Sequence, residues 1–130
     1  MTTLSAPVEA DAAELRRLRR DMLTTYASSR GCGELRPRTI RLPSGDGLQV
    51  DGANDDETLI LEIVTHADAE SEGLRARIGQ ALLGLSLARR ARPNAQLVLL
   101  VANETVRRAA TGWVPALDGD HPVILATPHA

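Results

Sequence analysis

The segment Thr58–Thr65, TLILEIVT, constrains this chain more than any other. Its aliphatic and β-branched residues are those of a buried strand, yet Glu62 stands in the middle. Burying a carboxylate without a partner is expensive, so Glu62 is either paired or lines a cleft. Alternation places Leu59, Leu61, Ile63 and Thr65 on one face and Ile60, Glu62, Val64 and His66 on the other. Both faces are largely apolar, which predicts a central strand covered on both sides. Just before it, Leu48–Gly52 reads as the second strand, carrying Asp51 and joined to the Glu62 strand by the acidic turn Asn54–Glu57. Two carboxylates presented from adjacent strands are a common way to hold a divalent cation.

The remaining elements fall around this pair. Val8, Ala12, Leu15, Leu18, Met22 and Tyr26 recur at helical spacing, which predicts a helix from about Pro7 or Asp11 to Ala27. Asp11 with Glu14 has the pattern of a capping box. Ser28–Pro37 is a loop, Arg38–Leu42 a short strand, and Pro43–Gly47 a hairpin turn. After the Glu62 strand, Asp68–Arg92 reads as a helix starting near Ser71, with Leu74, Ile78, Ala81, Leu82, Leu85 and Ala88 as its buried stripe. Gly79 and Gly84 interrupt that helix, as glycines do where a helix approaches a sheet closely. The apolar run Ala95–Ala102 predicts a buried strand parallel to the Glu62 strand, since a helix connects the two. Asn103 caps a short helix, Glu104–Thr111, stopped by Gly112, and Pro122–Ala126 is a last edge strand.

A chain of 130 residues with no linker or repeat reads as one domain spanning 1–130. No apolar run approaches the ~20 residues that span a bilayer, and no signal peptide is visible, so a cytoplasmic protein without membrane contact is expected. Cys32 is the only cysteine, which excludes an internal disulfide or a cysteine zinc cluster. A net charge of −2 argues against a bulk polyanion binder and leaves room for a local basic face. All 15 basic residues are arginine, and Arg16, Arg17, Arg19 and Arg20 crowd the first helix, either as a solvated surface or as a phosphate-facing patch. Tyr26 and Trp113 are the sole aromatics, too few for base-stacking platforms.

The order αβββαβαβ, with Asp51 near the end of the second strand and Glu62 on the third, resembles the PD-(D/E)XK nuclease superfamily. The resemblance covers roughly Val8 to Ala102 and includes a helical Gln80 within Ile78–Leu83. It implies an α/β, restriction-endonuclease-like αβββαβ core, a mixed central sheet flanked by helices, with an additional C-terminal helix and strand. It further implies Mg²⁺ held by Asp51, Glu62 and the backbone carbonyl of Ile63, with nucleic acid as substrate. The family's lysine, two residues after the glutamate, is here Val64, and the chain has no lysine. Arg77 on the following helix and His66 on the Glu62 face are the residues that could supply the missing cation. The resemblance therefore implies a degenerate member, a binding or assembly subunit linked to nucleic-acid processing. The alternative is a Mg²⁺-dependent nuclease with an unorthodox site of Asp51, Glu62, Gln80 and Arg77 or His66.

Each of these residues has a plainer reading. Asp51 is also a natural turn residue before Gly52, and Glu62 a buried carboxylate paired with Arg41 or Arg77. Gln80 and Arg77 taken singly read as packing or surface residues, His66 as a polar strand end, and Cys32 as a loop thiol. A homodimer is expected only as the commonest oligomer of a small sheet domain.

Overall fold

The computed structural model describes residues 5–65, 72–113 and 123–128. In chain order they form α1 (Ser5–Arg30), β1 (Arg36–Arg41), β2 (Gly47–Ala53), β3 (Leu59–Val64), α2 (Glu72–Ala91), β4 (Gln96–Val101), α3 (Glu104–Thr111) and β5 (Ile124–Ala126). The strands make one mixed, open sheet in the order β1-β2-β3-β4-β5. The first two pairings are antiparallel and the last two parallel. The αβββαβαβ order and the parallel β3–β4 pair agree with the sequence reading. The first helix begins at Ser5, so Asp11 lies within it and is not its cap.

β3 lies at the centre of the sheet, and all its residues are buried. Leu59, Leu61 and Ile63 pack with Met22, Leu23 and Tyr26 of α1. Ile60 and Val64 pack on the opposite face with Ile78, Ala81, Leu82 and Leu85 of α2, and with Val106 and Ala110 of α3. The alternation seen in the sequence therefore separates two apolar layers, as a doubly covered strand requires. Asn103 caps α3 through a hydrogen bond accepted from the Val106 N–H at 3.0 Å. Among the described residues no helix is long and apolar enough to cross a membrane.

The turn between β2 and β3 is locked by side chains. Asn54 Oδ1 accepts from the N–H groups of Thr58 (2.9 Å) and Leu59 (3.1 Å). Glu57 adopts the left-handed φ of 58° and faces two arginines. Arg92, just beyond α2, donates to it through Nε at 2.8 Å, and Arg38 of β1 lies 3.5 Å away. This clasp ties the open edge of the sheet to the end of the crossover helix.

Candidate functional site

The site begins with a proline. In the β1–β2 register Arg36 faces Ala53 and Arg38 faces Val50, so Asp51 and Gly52 together stand opposite Pro37. That is a β-bulge, an irregularity that re-aims the bulged side chain. Pro37 has no N–H to give to a ladder, and bulges are among the few places a sheet accepts proline. Gly52 also lets α1 come close, because a Cβ there would lie 2.6 Å from Leu23 Cδ2.

Pairing between β2 and β3 is confined to Gly52 with Leu61 and Ala53 with Ile60. One step further, side chains replace the backbone ladder. The Asp51 N–H donates to Glu62 Oε2 at 2.9 Å, and the Ile63 N–H donates to Asp51 Oδ2 at 2.8 Å. Each carboxylate thus accepts a backbone donor at the fork where the strands part. Glu62 is nearly sealed, its side chain 8 % exposed. From α2, Gly84 presents no side chain to it; a Cβ there would stand 3.5 Å from Glu62 Oε1.

The cation at this fork is Arg77. Its Nη2 donates to Asp51 Oδ2 at 2.6 Å and to the Ile63 carbonyl at 2.8 Å, and lies 3.7 Å from Glu62 Oε1. Of the two arginines considered as partners for Glu62, Arg77 is the one present. Arg41 is turned away and donates to the Gly45 carbonyl. One guanidinium does not balance two carboxylates. Burial pushes the Glu62 carboxyl up to about 7 and the Asp51 carboxylate adds to the rise, against the Asp51 N–H, Arg77 and Arg19.

The other expected site residues separate. Val64 is fully buried in the apolar layer beneath α2, so nothing basic stands at the position of the family's lysine. Gln80, three residues beyond Arg77, is exposed. His66 lies outside the described residues. Cys32 is half-buried against the α1 layer.

Asp51 also lines a groove of about 780 Å³ between α1 and the β1–β2 edge. Arg16, Arg19 and Arg20 of α1 and Arg36 of β1 line it, together with Glu34, Leu23 and Val50. Among the described residues Arg16, Arg19 and Arg20 belong to no salt bridge, and Arg19 Nε is buried without a hydrogen-bond partner. Arg36 makes only exposed contacts, with Glu34 and Asp55. The helix arginines were visible in the sequence. The bulge that brings Asp51 to the same groove was not, although Arg36-Pro37-Arg38 at a strand start is its signal.

Asp51, Glu62 and the Ile63 carbonyl are the hard oxygens that Mg²⁺ takes. With the Arg77 nitrogen bonded to two of the three and beside the third, these residues as arranged do not fit a divalent ion. Among the described residues no three His, Cys, Asp or Glu side chains gather as a metal site. The chain matches no protein-family model, no curated protein and no solved structure at a significant level.

Proposed function

We propose that this chain is a degenerate PD-(D/E)XK-like protein that binds a nucleic-acid backbone as a binding or assembly subunit and does not cut it. The observation that carries this reading is the groove, which Arg16, Arg19 and Arg20, without salt-bridge partners among the described residues, line together with Arg36. Several guanidinium groups around a concavity suit phosphate oxygens, which they contact in bidentate fashion. Without aromatic platforms in the groove, such contacts carry position and affinity but no base reading. Two features weigh against catalysis. Val64 replaces the family's lysine, and Arg77 is hydrogen-bonded to two of the three oxygens that would hold a metal ion. Loss of one such electrostatic group alone costs on the order of 10²–10³ in rate.

The test is fluorescence anisotropy with labelled single- and double-stranded DNA and RNA across a salt series, with cleavage followed in Mg²⁺ and in Mn²⁺. Salt-sensitive binding is expected, with each of Arg16→Ala and Arg20→Ala lowering the salt slope by about one, and no cleavage. Cleavage that Glu62→Ala abolishes would establish the nuclease alternative. Absence of binding to all four probes would remove nucleic acid as the partner.

A further inference from the structure

We infer that the α1 groove takes a single nucleic-acid strand and not a duplex, with a backbone phosphate at its arginine end and an unpaired base at its apolar end. The inference rests on the phosphate-binding reading of that groove and adds which form of nucleic acid it holds.

The groove is not uniformly basic. Its α1 wall is the face Arg16, Arg19, Arg20, Leu23, Thr24 and Ala27, positions three and four apart that share one side of a helix. From Arg16 to Ala27 that face runs about 16 Å, with all three arginines in its first part and no charge in the rest. At the uncharged end Leu23 and Ala27 pack in one apolar cluster with Leu35, which also lines the groove. The carboxylates of the lining have cations of their own. Glu34 lies 3.4 Å from Arg36, and Asp51 is bonded to Arg77 at 2.6 Å. The α1 arginines therefore keep their charge at one end, beside an apolar surface at the other.

Phosphate oxygens suit the arginine end. The apolar end suits the flat face of a base, which gains by leaving water once it is unstacked. Every base has such a face, so this contact tolerates any sequence. A duplex keeps those faces stacked inside and offers phosphate and sugar on its flank, so it meets only the arginines. A single strand can splay its bases out and use both ends. The volume of about 780 Å³ is that of a small-ligand cleft, which admits a short stretch of one strand. Aliphatic contacts in place of an aromatic platform put the gain at the lower end of what base stacking gives, about tenfold.

The experiment is fluorescence anisotropy of the full chain with three labelled probes at matched ionic strength. They are a short oligothymidylate, the same strand paired with oligoadenylate, and an abasic strand of equal length that keeps the phosphates and lacks the bases. The oligothymidylate is expected to bind about tenfold more tightly than either of the others. Ala27→Gln, which puts a polar group into the apolar end without changing charge, is expected to remove most of that advantage and leave abasic binding unchanged. The comparison of probes on the unsubstituted chain decides the matter even if this variant does not fold. Equal binding of the oligothymidylate and the abasic strand, or tighter binding of the duplex, overturns the inference and leaves phosphate binding by the arginines standing. Absence of binding to all three probes removes the phosphate-binding reading and this inference with it, so the two failures are distinct.

Discussion

Arg77 and Asp51 are joined by a 2.6 Å hydrogen bond between groups 14 % and 23 % exposed. The pair links the crossover helix to a strand that is not its sheet neighbour in sequence. Asp51 Oδ2 also accepts the Ile63 N–H, so the same oxygen closes the fork and anchors the helix. Breaking a buried pair by removing one partner leaves an uncompensated charge, which typically costs about 3–5 kcal/mol. Asp51→Ala is expected at the lower end of that range, since Arg77 keeps the Ile63 carbonyl and Glu62 stays near. A double-mutant cycle of Asp51→Ala with Arg77→Ala in urea should show a coupling of about 1–3 kcal/mol. Additive effects would mean that the contact carries no net stability.

Glu62 makes the stability of the fold depend on pH. Its carboxyl titrates near 7 in the folded chain against 4.5 in the ordinary case. Between those values the folded chain holds a proton that the unfolded chain releases. Folding then takes up a proton, so stability is full below about pH 4.5, falls as pH rises, and is lost once pH has passed through about 7. The loss is on the order of 3 kcal/mol. Glu62→Gln keeps an oxygen to accept the Asp51 N–H and cannot ionise. Urea unfolding at pH 5 and pH 8 should show a drop in the unsubstituted chain that this variant lacks. An equal drop in both would assign the pH dependence to other groups.

Glu57 offers an inverted substitution order. Its φ of 58° is left-handed, where any residue with a Cβ is strained by roughly 1–2 kcal/mol. Its carboxylate is held by Arg92 and Arg38. Glu57→Ala loses both arginines and keeps the strain, whereas Glu57→Gly loses the arginines and sheds the strain. Thermal unfolding should therefore place Glu57→Gly above Glu57→Ala by about 1 kcal/mol. The reverse order would show that the turn relaxes out of the left-handed region once the arginines are released.

Element order and the core were legible because β3 and α2 announce themselves through periods of two and 3.6 residues. Ile60 and Leu61 point to opposite layers as alternation requires, and the stripe from Ile78 to Ala88 is buried as its spacing implies. Glu62 was legible as a residue needing a partner, and Arg77 as one of two candidates, because a charge in an apolar strand has few solutions. The sharing of Arg77 among Asp51, Glu62 and Ile63 was not legible. It depends on the bulge opposite Pro37, which shifts β2 by one residue relative to β1 and turns Asp51 toward the fork. The Glu57 clasp was hidden for a related reason. Arg38, Glu57 and Arg92 are far apart in sequence, and no local pattern marks residues that meet only once the sheet has formed.

The two glycines at Gly52 and Gly79 should respond to alanine in opposite directions. Gly79 lies within α2, and a Cβ there meets nothing within 4 Å. Alanine restricts the unfolded chain and suits a helix better, so Gly79→Ala is expected to stabilise by about 0.5–1 kcal/mol. At Gly52 the added Cβ would lie 2.6 Å from Leu23 Cδ2 and 3.2 Å from Cδ1. Leu23 is itself buried in the α1 layer with Leu61 and Ile63, so it has little room to turn aside. Overpacking of this kind costs about 1–3 kcal/mol. Because Gly52 shares the bulge with Asp51, relief by backbone movement would lengthen the Asp51–Arg77 contact. Gly52→Ala should therefore unfold at lower urea and also reduce the Asp51–Arg77 coupling energy, whereas Gly79→Ala should leave that coupling unchanged. If Gly52→Ala lowers stability with the coupling intact, Leu23 has absorbed the clash and the bulge is stiffer than the packing of α1.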